Sequence, residues 1–294
     1  MVQYNHTITN KEKDMTVREY LEAILAKRSN NGAYTQAEIQ AYNRMNGLIE
    51  KWAETFKVSN GWYYEYLITI EAQKSGSRAK GTALKGKSDI DIFVSITDKN
   101  GQFAIKDLYN NLYNFLRKQL ADSIPMRKQN VSIGIEYSGC SIDLTPAKRY
   151  NGSYYTSNGR RYDDHWLYSR KSDSRTLTNI QKHIELVRYS GLTKEMMLLK
   201  IWRNENNVEL PSIYLEILTT EVLSNYRSGL ADNFKTLLSA IRDTVLTRKI
   251  VDPSNSTNII SDDKNITPQE KQYAKKVAEN SLKLMNEDWR KVIW

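Results

Sequence analysis

Two stretches concentrate carboxylates where strands usually avoid them. Residues 88–94 read SDIDIFV, with Asp89 and Asp91 one residue apart among apolar neighbours. Residues 140–146 read CSIDLTP, with Asp143 between Ile142 and Leu144. Strands are depleted in Asp, so a strand that carries two needs a reason. Alternation along a strand puts Asp89 and Asp91 on one face and Ile90, Ile92 and Val94 on the other. Two carboxylates that close repel unless a proton or a cation intervenes. Charges that protect a strand edge are one reading; a hard divalent cation such as Mg²⁺ held between oxygen ligands is the other. Asp143 favours the second reading. Pairing its strand with 88–96 sets three carboxylates together, enough for two Mg²⁺ ions, the arrangement that serves in-line phosphoryl or nucleotidyl transfer.

A phosphate site precedes the acidic strand. In KSGSRAKGT (74–82), Gly76 and Ser77 fall at a strand-to-helix turn, 13 residues before Asp89. Glycine lets a backbone approach a phosphate closely. A helix N-terminus supplies unpaired N–H groups and the positive end of its dipole.

The elements that must position these groups follow from periodicity. Val17, Tyr20, Leu21, Ile24 and Leu25 share one helical face, and Ile39, Tyr42, Met45, Ile49, Trp52 and Phe56 share another. Residues 65–73 and 88–96 read as strands, Asp107–Leu120 as an amphipathic helix, and 131–137 with 140–146 as a hairpin across the Ser-Gly pair at 138–139. Residues 150–175 read as a long polar loop. Its aromatics (Tyr154, Tyr155, Tyr162, Trp166, Tyr168) and basic groups (Arg160, Arg161, Arg170) either stack on bases and meet phosphates or pack between lobes. Beyond it the chain is helical: Ile180–Arg188, Lys194–Arg203, a helix opening near Pro211, then Asn233–Arg248 and Pro268–Met285. The fold class expected is α+β, with residues 1–175 forming a core that includes the N-terminal helices and 176–294 forming a helical lobe.

Bulk properties narrow the chemistry. The chain has 294 residues, and 43 Lys+Arg against 34 Asp+Glu give a formal charge of +9. That balance suits a polyanionic partner or simply a soluble surface. A single cysteine, Cys140, permits no internal disulfide, and His6, His165 and His183 are scattered, with no zinc-ligand spacing. No apolar run approaches a membrane span, and the N-terminus does not read as a signal peptide; a cytoplasmic protein with no membrane partner is expected.

The combination of Gly-Ser, then Asp-Ile-Asp, then Asp resembles the nucleotidyltransferase superfamily that includes DNA polymerase β. The fuller string SGSRAKGTALKGKSDIDIFV, with LLKIWRNENNVELPSIYLEIL (198–218) and IVDPSNSTNII (250–260), resembles a narrower set. That set comprises class I CCA-adding enzymes, oligoadenylate synthetases and the bacterial relatives of cyclic GMP–AMP synthase, the CD-NTases. The turn at 250–260 departs from the usual form at Ser254 and Ser256. The resemblance implies a two-lobed polymerase β-like fold with the active-site cleft between residues 1–175 and 176–294. It implies that Asp89, Asp91 and Asp143 bind two Mg²⁺ ions, with Mn²⁺ as a substitute, and that Asp143 helps activate the attacking hydroxyl. Gly76 and Ser77 match the phosphate loop, Lys200 the lysine facing the donor triphosphate, and Ser212 the serine beside it. Tyr214 is a candidate for stacking on the donor base, although Ile213 occupies the adjacent place.

Three activities fit that resemblance: a synthase joining NTPs into a cyclic di- or trinucleotide messenger, a tRNA nucleotidyltransferase of the CCA-adding type, and a linear oligoadenylate synthetase. The tRNA enzymes carry further domains, for which 294 residues leave little room, and one cysteine excludes the zinc insertion of the animal DNA sensor. The expectation is therefore a cyclic-oligonucleotide synthase of antiphage type. Its substrates would be nucleoside triphosphates, it would need no nucleic-acid activator, and a separate effector protein would read its product. An inactive nucleotide-binding module is the non-enzymatic alternative.

Overall fold

The computed structural model describes residues 15–30, 34–86, 89–155, 161–225 and 228–294, with no side-chain description at 151–161. The chain forms two compact units. One contains residues 32–80 and 87–184, the other residues 1–31, 81–86 and 185–294.

The first unit is built on a mixed sheet. Its elements are α2 (Gln36–Glu54), β1 (Lys57–Asn60), β2 (Tyr63–Tyr66), β3 (Ile68–Lys74), α3 (Gly76–Lys80), β4 (Ile90–Asp98) and α4 (Ile105–Gln119). There follow β5 (Met126–Lys128), β6 (Ile133–Tyr137), β7 (Cys140–Tyr155), β8 (Arg161–Ser169) and β9 (Ser174–Thr178). The sheet runs β3-β4-β7-β6-β5, and the outer half of β7 also pairs with β8, which pairs with β9. β4 and β7 are parallel neighbours; β3 and β6 flank them antiparallel. Helix α2 starts where a Thr35–Glu38 capping box satisfies its first N–H groups. Its buried Ala41, Met45, Leu48, Ile49 and Trp52 meet Ile105, Leu108, Tyr109, Leu112 and Leu116 of α4 over the sheet residues Ile90, Ile92, Val94, Ile142 and Leu144. Burial of each large side chain in such a core contributes about 1.5–3 kcal/mol.

The described residues of 150–175 lie largely in strands rather than in a loop. Strand β7 continues to Tyr155, and β8 and β9 extend the sheet. Charged cross-strand pairs hide the alternation: Arg149 of β7 meets Asp163 of β8 at 3.1 Å. Within β8, His165 and Leu167 are buried on one side while Trp166 and Tyr168 pack on the other, against α4's core. Arg160 lies outside the described residues, as do the side chains of Tyr154, Tyr155 and Arg161.

The second unit is helical. It holds α1 (Val17–Arg28), α6 (Thr193–Glu205), α7 (Ser212–Val222), α8 (Leu230–Thr244), the hairpin β10 (Val251–Asp252) and β11 (Asn255–Ile259), and α9 (Pro268–Met285). Helix α5 (Ile180–Arg188) carries the chain from one unit to the other. The expected boundary at residue 175 needs two corrections. Helix α1 belongs to the helical unit, where Tyr20, Leu21, Ile24 and Leu25 pack with Leu199, Trp202, Phe234 and Ile293. Segment 81–86 joins it as well, through Asn30 N–H donating to Ala83 O at 2.9 Å and Lys85 N–H to Arg28 O at 2.8 Å.

Candidate active site

The site is assembled on β4 and β7. Their parallel register pairs Asp91 with Asp143 directly, and Ile90 with Ile142 and Ile92 with Leu144. Paired residues of neighbouring strands point to the same face and stand about 4.8 Å apart at the backbone. The two carboxylates therefore project together while their isoleucine and leucine neighbours anchor the core. Asp89, one residue before β4, is exposed.

Glycine 76 makes room for this arrangement. Main-chain N–H of Ser75 donates to Asp91 O at 3.0 Å, which ties the end of β3 to β4. The chain then turns at Gly76 with φ +65°, and a Cβ there would lie 1.8 Å from Asp91 Oδ2. Both the left-handed conformation and the contact demand glycine. Ser77 follows half-buried in the first turn of α3. At five residues, α3 is short, so its dipole is slight. Arg78 holds it in place by an ion pair with Glu38 of α2 and by lying 4.4 Å over the Tyr34 ring.

The electrostatics fit a cation. Burial, then the Asp143 and Asp89 charges, push the Asp91 carboxyl up to about 7. Burial, followed by Asp89, also raises Asp143. Among the described residues no three His, Cys, Asp or Glu side chains are drawn together tightly enough to cage an ion. The donors on offer are nonetheless all hard carboxylate oxygens that repel one another, which suits Mg²⁺ or Mn²⁺ rather than zinc.

Periodicity did not reveal Gln129, which donates from Nε2 to Asp143 Oδ1 at 3.0 Å and accepts from Ser132 Oγ at 2.7 Å. This fixes one oxygen of Asp143. Gly134, opposite Asp143 on β6, leaves the space: a Cβ there would stand 2.6 Å from Gln129 Nε2. A glycine inside the strand VSIGIEY is the sequence signal for such a close approach.

Three expected site residues, Lys200, Ser212 and Tyr214, belong to the helical unit. Lys200 is 3% exposed, its ammonium 2.7 Å from both Glu216 and Thr82. It is a buried ion-pair partner of Glu216. Tyr214 is fully buried in the helical core, so it has no ring face to stack on a base. Burial raises its hydroxyl to about 12. Ser212 is the first residue of α7, behind Pro211 at the cap, and its Oγ accepts from Arg203 Nη1 at 3.0 Å. Arg203, unsuspected from sequence, is the half-buried cation beside it.

The nucleotidyltransferase domain family matches residues 62–128, a span that includes Gly76, Ser77, Asp89 and Asp91 and ends before Asp143. A cyclic AMP-AMP-AMP synthase of Escherichia coli (strain MS 115-1) is 26% identical over 202 residues, covering 62% of this chain and 59% of that protein. The chain thus aligns with about six-tenths of the length of that curated relative. Among solved structures, E. coli MS115-1 CdnC with ATP superposes with a TM-score of 0.66 at 19% identity, over 92% of this chain and 91% of the other. The CD-NTase CdnG of Bradyrhizobium diazoefficiens, in complex with GTP, gives 0.66 at 12% identity over 95% of both chains.

The chain carries a nucleotidyltransferase-domain match over residues 62–128, and its fold is the one seen in solved CD-NTases. Asp91 and Asp143 meet on the mixed sheet of the unit formed by residues 32–80 and 87–184. The low identities to the solved structures establish the fold alone.

Proposed function

We propose that the protein joins nucleoside triphosphates into a cyclic di- or trinucleotide with release of pyrophosphate. The observation that carries this reading is the register pairing of Asp91 with Asp143 beside the Gly76 turn. Acidic oxygens are thereby concentrated next to a backbone loop that tolerates close approach. In the proposed reaction an acceptor ribose hydroxyl attacks the α-phosphorus of the donor. A P–O bond forms, the bond to pyrophosphate breaks, and the hydroxyl proton leaves to a base. Asp143, held by Gln129, is the group placed to take it. Asp89, Asp91 and Asp143 would hold the divalent cations, which when bound supply charge neutralisation at the phosphates. Gly76 and Ser77 border the donor phosphates. A second round closes the linear intermediate.

The relatives support this choice by name, as a cyclic trinucleotide synthase and as structures with ATP or GTP. We place the protein in the cytoplasm, needing no nucleic-acid activator, with a separate effector reading the product in antiphage defence. No helix among the described residues is long and apolar enough to cross a membrane.

The test is incubation of pure protein with all four NTPs and Mg²⁺ or Mn²⁺, phosphatase treatment, and mass spectrometry. Phosphatase-resistant cyclic products are expected, and Asp91→Asn with Asp89→Asn should abolish them while leaving the circular dichroism unchanged. Phosphatase-sensitive adenylate chains would instead assign a linear synthetase. Nucleotide binding without pyrophosphate release would assign an inactive binding module.

A further inference from the structure

A cavity of about 560 Å³ opens at the other end of the same sheet, lined by the end of β4, the loop to α4, the start of α4, and strands β7, β8 and β9. Asp98 at its edge is seven residues along β4 from Asp91, roughly 23 Å at the usual strand rise. It is thus separate from the Asp91–Asp143 pair. Its volume lies within the range of small-molecule sites, about 300–1,000 Å³.

The lining is cationic and aromatic. Five basic residues, Lys99, Lys106, Lys148, Arg149 and Arg175, face two acids, Asp98 and Asp173. Part of that charge is already used: Lys148 pairs with Asp98 at 2.8 Å and Lys106 with Asp173 at 2.8 Å. Lys99 and Arg175 have no ion-pair partner among the described residues. Arg175 is held in place by the Trp166 ring, 4.5 Å below its guanidinium. Tyr150, 45% exposed, packs edge-on to Trp166 at 5.3 Å between ring centroids and offers ring surface to the cavity. Helix α4, 15 residues long, begins at the cavity wall behind Ala104, which supplies no side-chain cap. Its first N–H groups and dipole add to the positive end.

We infer that this cavity is a second ligand site, built for a nucleoside monophosphate or a similar small aromatic anion. The base rests against Tyr150, and the phosphate is seated by Lys99, Arg175 and the start of α4. The size favours a single nucleotide over a polynucleotide. The inference stands independently of the proposed reaction, because none of these residues belongs to the Asp91–Asp143 site.

The experiment measures binding of AMP and GMP to the full chain by calorimetry in EDTA, with 8-azido-AMP cross-linking and peptide mapping alongside. Wild type should bind saturably, and label should fall on peptides containing Tyr150 or Trp166. The double variant K99Q/R175Q and, separately, Tyr150→Ala should weaken binding at least tenfold with an unchanged urea midpoint. Asp91→Asn should bind as wild type does. Inorganic phosphate should compete, whereas adenosine should bind far more weakly. The inference is overturned by affinity weaker than about 1 mM. It is overturned equally by label confined to residues 74–91, by binding lost in Asp91→Asn, or by an RNA duplex binding these residues when the mononucleotides do not.

Discussion

Gly76→Ala separates the geometry of the site from the stability of the unit. The new Cβ would lie 1.8 Å from Asp91 Oδ2, and ordinary contact begins at 3.4 Å, so the carboxylate must retreat by about 1.6 Å. The backbone has little freedom to yield, because Ser75 N–H is bonded to Asp91 O and β4 is paired on both sides. A misplacement of about 1 Å in a reacting constellation costs about 100-fold in rate, some 2.7 kcal/mol of barrier. The expected kcat for pyrophosphate release at saturating NTP is therefore at least about 100-fold below wild type. The left-handed conformation, φ +65°, adds a stability cost of about 1–2 kcal/mol for any residue with a Cβ. Gly61→Ala is the control. It has φ +69° in the same unit, yet nothing lies within 4 Å of its Cβ. It should lose comparable stability in urea and keep its activity. A Gly76→Ala enzyme within threefold of wild type, or a Gly61→Ala enzyme equally inactive, would refute the argument that glycine is required here for the carboxylate's sake.

Lys200→Met should destabilise the helical unit by about 3–5 kcal/mol in urea, because it removes the ammonium 2.7 Å from Glu216 and breaks a buried ion pair. The double variant K200M/E216L should recover most of that loss; no recovery would contradict the ion-pair account. Tyr214→Phe should be neutral or stabilising by up to about 1 kcal/mol, since the buried hydroxyl has no hydrogen-bond partner among the described residues, and it should leave nucleotide binding unchanged. A marked fall in NTP affinity would restore the stacking role. His165 gives a pH dependence. Burial, then Arg149, lowers its pKa from 6.5 to about 4, while Ser95 Oγ holds Nε2 at 2.8 Å. Between those values the unfolded chain binds more protons than the folded one, so the stability is present above about pH 6.5 and fades as pH falls toward 4. The span amounts to about 3 kcal/mol, and urea midpoints of wild type and His165→Gln across that range should diverge accordingly.

What the sequence disclosed and what it hid divide along a physical line. The facing of Asp91 and Asp143 was legible because alternation is a local property of a strand, and because Asp in an apolar strand breaks a strong local preference. Gly134 carried a legible signal too, since glycine inside a strand announces a close neighbour, but the neighbour, Gln129, sits across a turn that spacing does not resolve. Strands β8 and β9 were hidden for the opposite reason. Their polar residues are satisfied across strands, as Arg149 is by Asp163, so the hydrophobic pattern that marks a half-buried strand is diluted. The surroundings of Lys200 and Tyr214 were hidden for another reason. Residue type and helical position fit a nucleotide site, but burial is decided by distant segments: Thr82 and Glu216 close over Lys200, and the helical core encloses Tyr214. The same long-range logic moved α1 into the helical unit, where the Tyr20 hydroxyl donates to Ile293 O, 273 residues away, at 2.8 Å. A motif can thus nominate a residue for chemistry, but only the groups packed around it determine whether its charge or ring is left free to act.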